Sequence, residues 1–98
     1  MAAVPEFLTG SKTGIGTSAV PITTVETNAR RGVQIVANSA NTVNVFIGPS
    51  TVTAGTAAAT TDGYPLAAGE SIVVPVIEPS KIYAVTASST AIVSFMLV

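Results

Sequence analysis

From Gly32 onward, apolar residues recur at every second position in short runs separated by Gly, Pro, Ser and Asn. The runs GVQIVAN, TVNVFIG, SIVVPVI, KIYAVTA and AIVSFMLV each read as a β-strand, because a period of two puts alternate side chains on one face of a pleated sheet. In the first run Val33, Ile35 and Ala37 share a face opposite Gln34 and Val36; in the second, Val43, Val45 and Ile47 lie opposite Asn44 and Phe46. With only SANT between them, these two runs are expected to pair as a hairpin. Residues 71–77 are apolar on both faces, which predicts a central strand of a sandwich, with a bulge to accommodate Pro75. Residues 81–87 and 91–98 supply two more strands, the last expected to pair into a sheet up to the C-terminus. Turns are expected at Ala67-Ala68-Gly69-Glu70, Glu78-Pro79-Ser80 and Ser88-Ser89-Thr90.

The earlier part of the chain is less regular. Residues 18–26 (SAVPITTVE) form a candidate first strand, which Pro21 confines to an edge or a strand start because it has no backbone N–H. Residues 1–17 carry Pro5, Gly10, Gly14 and Gly16, with Phe7, Leu8 and Ile15 as isolated apolar positions. Nothing there alternates, so this segment is expected to be an extended N-terminal arm and residues 18–98 the folded domain. Residues 49–66 form a long connection with a turn signal at Asp62-Gly63. Val, Ile and Thr are abundant, and β-branched side chains suit a pleated sheet better than a helix. The fold class is therefore all-β: a small antiparallel β-sandwich or barrel-like domain with an N-terminal arm.

Composition narrows the function. A chain of 98 residues makes one domain, and a domain this small has little stability to spare. It contains no Cys and no His, so neither a disulfide nor a Cys/His metal site can reinforce it, and oligomerisation is the common alternative. Four basic residues against five acidic ones give a net charge of −1. Nucleic-acid binding needs clustered Lys and Arg, and Arg30-Arg31 is a single pair. The longest apolar run, residues 72–77, is broken by Pro75 and falls far short of the roughly 18–20 residues that span a bilayer. Val4-Pro5-Glu6 likewise interrupts any apolar core of a secretory signal. Many apolar residues with few charges predict a surface covered by partners.

Catalytic patterns are absent from the sequence. Without His or Cys there is no Ser–His–Asp or Cys–His device. The acids Glu6, Glu26, Asp62, Glu70 and Glu78 are not spaced as a working pair, and too few oxygen ligands converge around Asp62 for a hard cation. The stretch GSKTGIG at residues 10–16 lacks the spacing of a phosphate loop and reads as part of the flexible arm. Tyr64, in a turn beside Pro65, is expected either to fold over the domain's edge or to offer a ring for recognition. The expectation is a protein that is not an enzyme, with no cofactor, no metal, no nucleic acid and no membrane partner.

The segments ARRGVQIVANSANTVNVFIG, DGYPLAAGESIVVPV, PSKIYAV and SFMLV together resemble small virion proteins of tailed bacteriophages over about two thirds of the chain. The resemblance implies a capsid-decoration, or cement, protein: a homotrimer on the outer surface of the head that clamps neighbouring major capsid subunits. The arm lies outside the similar region, and residues 1–25 are expected to touch the capsid, with Phe7, Leu8, Ile15 and Val20 as anchors. On that view, deleting residues 1–17 should leave a folded domain that attaches weakly. The alternative reading is a receptor- or carbohydrate-binding module of a head fibre or tail, using residues 49–66 with Tyr64 as a platform.

Overall fold

The structure, a computed structural model, describes residues 8–55 and 63–98. Eight strands follow one another: β1 (Thr9–Ile15), β2 (Val20–Pro21), β3 (Val33–Ala37), β4 (Val45–Gly48), β5 (Tyr64–Leu66), β6 (Ser71–Val74), β7 (Tyr83–Val85) and β8 (Ala91–Leu97). A 3-10 turn, Pro79–Lys81, precedes β7. The strands form two four-stranded sheets, ordered β1-β8-β3-β6 and β2-β7-β4-β5, and every pairing is antiparallel. The all-β expectation holds, and the two sheets make it a sandwich.

The core lies between the sheets. Ile15, Val33, Ile35, Val93, Phe95 and Leu97 of the first sheet meet Ile22, Val45, Ile47, Leu66, Ile82 and Ala84 from the second sheet and its flanks. β8 shows the period of two most clearly, with Ala91, Val93, Phe95 and Leu97 buried and the residues between them half-buried. It is a central strand, and the C-terminus is paired as expected: Arg31 donates to the Val98 carbonyl at 2.7 Å, and Val98 N–H donates to Gly32 at 2.9 Å.

Three expectations are corrected. The first is the hairpin. β3 and β4 exist with the predicted buried faces, yet they lie in different sheets. Alternation tells which face of a strand is buried and not which strand it pairs with, so two inward faces can share a sheet or oppose each other across the core. Here they oppose each other. The SANT stretch lacks the Asn-Gly or Asp-Gly chemistry of a two-residue hairpin, and it is pinned to β8 instead. The Asn41 side chain donates to the Ile92 carbonyl and accepts from the Ile92 N–H, both at 3.0 Å, while Ala40 N–H donates to Asn38 Oδ1 at 2.8 Å. In fact β4 and β5 are the only sequence-adjacent strands among these eight that share a sheet.

The second correction concerns residues 71–77. β6 is an edge strand that stops before Pro75, and no bulge forms. Past the proline, Val76 N–H turns back to the Val74 carbonyl at 2.8 Å and Ile77 accepts from Ala29 N–H at 2.7 Å. Pro75 follows Val74, whose pairing with Val33 is the last of the ladder, and the strand ends where the chain turns off at residues 75–77.

The third concerns residues 8–17, which form no free arm. β1 pairs with β8 from Thr9↔Met96 to Ile15↔Ala91. Its inward positions explain why no apolar pattern announces it. Gly10 faces Phe95 across the ladder, and a Cβ there would lie 2.7 Å from the ring, so the partner's ring fills the space. Lys12 is the next inward position, opposite Val93. Gly14, with φ +67°, then carries a register shift between Lys12 and Ile15, which delivers Ile15 into the core at 0% exposure. The candidate strand at residues 18–26 contracts to β2, two residues at the edge of the second sheet.

Candidate functional surface

The expected anchors separate in the structure. Phe7 lies outside the described residues. Leu8 packs half-buried against the core and accepts from Leu97 N–H at 2.9 Å. Ile15 is fully buried, and Val20 pairs with Ala84 and packs against the core. Leu8, Ile15 and Val20 therefore hold the domain together, and removing residues 1–17 would strip β1 from the sheet. Tyr64 sits in β5 opposite Ile47, 58% exposed on the edge strand. Of the long connection, residues 56–62, with Asp62, lie outside the described residues.

Glu26, Glu70 and Glu78 are exposed, and no group of three or more potential metal-ligating side chains forms among the described residues. Glu70 has a local duty: its carboxylate accepts from Ala67 N–H at 2.7 Å, closing the turn in which Gly69 takes φ +84°. No helix is long and apolar enough to cross a membrane among these residues.

What the fold does build is a flat, charge-free surface. The registers of β1, β8, β3 and β6 line up two rows on the outer face of the first sheet, Thr9–Met96–Gln34–Val73 and Ser11–Ser94–Val36–Ser71. Not one of these residues is ionisable. Val73 is 53% exposed and Val36 37%. A shallow groove of about 520 Å³ crosses the face between Thr9, Ser11, Gln34, Val36, Ser94 and Met96. The nearest charges are diverted: Lys12 belongs to the inward set of β1, and Glu70 is held in its turn.

The second sheet treats its outer face differently. Val52, from the loop after β4, is buried and tucks over Gly48 and Gly63, where a Cβ would collide with its methyl group. Beneath it Phe46 lines up with Val85 and Pro65 across the strands. Val52 thus covers part of that face and Val85 is buried, while Phe46 is half-buried and Pro65 exposed. Among the described residues nothing comparable covers the first sheet. Strand periodicity located Val36 as an outward apolar residue, but only the pairing order puts it beside Ser94 and Ser71, so this surface was not legible in the sequence.

In comparisons with known proteins, no family model, no curated protein and no solved structure matches the chain.

Proposed function

We propose that this chain is a capsid-decoration, or cement, protein of a tailed bacteriophage, bound to the outer surface of the head through the outer face of its first sheet. The observation that carries the reading is that face, uncovered by any described residue: two rows of polar and apolar side chains without a charge, on a domain whose other sheet is partly covered by its own Val52. Burying such a face takes no ion out of water; its hydroxyls and amide need hydrogen-bond partners across the contact, and its valines and methionine gain from burial. The resemblance of residues 31–98 to small phage virion proteins supports the choice of partner, the major capsid protein, and a homotrimer on the head.

Cement is a role that such a chemistry-poor domain can fill. Bridging several subunits converts modest contacts into one avid attachment. Binding the assembled shell and not its free subunits stabilises the shell by mass action. Phe7 is retained as an additional candidate contact.

The test is binding of the purified chain to heads that lack it. Val36→Lys places a charge at the centre of the face, on an already exposed position, and should weaken binding at least tenfold while the melting temperature stays near that of the parent. Undiminished binding by Val36→Lys and by Val73→Lys would overturn the assignment of this face. The exposure of Tyr64 supports a second reading, a carbohydrate- or receptor-binding module of a fibre or tail. Binding to a glycan array that is lost in Tyr64→Ala would favour it over cement.

A further inference from the structure

We infer that β6 is a self-pairing edge, through which two copies of this chain join their first sheets into one continuous sheet. In an antiparallel sheet a residue's N–H and C=O point to the same side, and successive residues alternate. Even-numbered residues of β3 point to β8, as Asn38 N–H donating to Ile92 and Gly32 N–H donating to Val98 show. The odd ones point to β6, as Ala37 N–H donating to Glu70 shows. Val33↔Val74 and Ile35↔Ile72 are therefore the bonded pairs of the β3–β6 ladder. Ser71 and Val73 turn their backbone groups away from β3, and no described residue takes them.

Exposed edges in soluble proteins are commonly guarded by a charge, a bulge or a covering loop. Among the described residues this one has none of these along its free positions, and its proline, another such guard, stands past them at Pro75. From Ser71 to Ile77 there is no charged side chain, and Val73, Val76 and Ile77 are 53%, 38% and 46% exposed.

The sequence of the edge selects both the partner and the register. If Ser71 of one copy faces Val73 of the other, the two-fold axis passes between the Ile72 residues. Every free N–H and C=O of Ser71 and Val73 is then used, in two bonded pairs. Pro75, which has no N–H to offer, falls opposite Gly69, beyond the paired positions. Ser71 and Val73 both belong to the outer face, so the joined sheets carry the charge-free surface on without a break.

The charges favour the same arrangement. Glu70 stands at the start of β6. At its end lie Arg30 and Arg31, beside Gly32 and Ala29, the latter donating to Ile77 at 2.7 Å. Lys81 is there as well, lining with Val74, Val76 and Ile82 an apolar groove of about 290 Å³ between the sheets. Among the described residues, these three basic side chains stand against two acids of the same stretches of chain, Glu78 and Glu26, the latter on the loop between Ile22 and Ala29. Antiparallel pairing sets the Glu70 end of each copy against the basic end of the other, twice, by symmetry. A strand edge this short falls well below the roughly 1,200–2,000 Å² of a stable complex, so the pair is weak in solution and strengthens where the chain is concentrated on a surface. In a trimeric arrangement on a head, it would link copies of adjacent trimers.

The pairing is a property of the free chain, so it can fail without touching the capsid reading. Sedimentation velocity of the full chain from micromolar to millimolar concentration should show a monomer–dimer equilibrium that salt weakens, and hydrogen exchange at Val73 should slow as the dimer fills. Val73→Pro and Ser71→Pro each remove a donor that points away from β3, and each should raise the dimer dissociation constant at least tenfold. Ser11→Pro on the opposite edge of the sheet should leave it unchanged. Circular dichroism melts identify any variant that fails to fold, and Val73→Lys, which acts through its outward side chain, replaces a proline variant that does. A chain that stays monomeric throughout overturns the proposal, as does a dimer indifferent to all three β6 substitutions. A monomer whose β6 variants lose only head binding also overturns it, and assigns the edge to a strand of the capsid protein.

Discussion

Ile15→Ala distinguishes a structural β1 from a free arm most sharply. Ile15 is 0% exposed and belongs to the core cluster between the sheets. Truncating a buried isoleucine to alanine removes its transfer free energy and leaves a cavity, typically costing about 2–5 kcal/mol. The whole stability of a domain this size is roughly 5–15 kcal/mol, so the loss is a large share of it. One kcal/mol moves the melting temperature of such a domain by roughly 4–8 °C, so a mid-range loss of about 3 kcal/mol gives a drop of roughly 12–24 °C. Thr13, exposed two positions earlier on the same strand, is the control. Thr13→Ala should stay within about 0.5 kcal/mol of the parent. Urea and thermal denaturation followed by far-ultraviolet circular dichroism read both variants. If Ile15→Ala melts within a degree or two of the parent, Ile15 does not reside in the core and the β1–β8 ladder is wrong.

Other substitutions probe the devices that hold the topology. Asn41→Ala orphans the partly buried N–H of Ile92, bonded at 3.0 Å, while the Ile92 carbonyl keeps the Asn38 N–H at 3.0 Å; it should cost about 1–3 kcal/mol in urea titrations. Gly69→Ala meets no steric obstacle but must adopt φ +84°, so a loss of about 1 kcal/mol should appear there, too. Gly10→Val should cost about 1–3 kcal/mol, because its Cβ would force the buried Phe95 ring to move; a neutral result would mean that the ring does not lie over Gly10.

Reading the strands from sequence succeeded wherever one face is apolar and the other is not. Val33, Ile35, Ala37, Val45 and Ile47 are buried as alternation requires, and β8 runs paired to the end of the chain. The pairing was not legible, because the chain changes sheet between nearly all successive strands. Partners are chosen by the shape of the shared core and by a side chain such as Asn41, which reaches a residue 51 positions away. Such non-local ladders must close long loops before they gain any stability, which predicts slow folding for a domain of this size. β1 escaped notice because its inward positions are a glycine, a lysine and, past a bulge, an isoleucine. β6 misled in the opposite sense: its apolar residues suggested a central strand, and it is an edge with valines in solvent. Those valines, with the absence of charge on the sheet beside them, are the strongest structural support for an interaction role.

Cement must be present across the head, so the most direct test is copy number. On the proposed phage origin, purified virions would be analysed by quantitative mass spectrometry, with the chain scaled to the major capsid protein. The account predicts near-equal amounts of the two. A few copies per particle would contradict cement in favour of a fibre or tail component, and absence from virions would contradict the phage structural reading altogether.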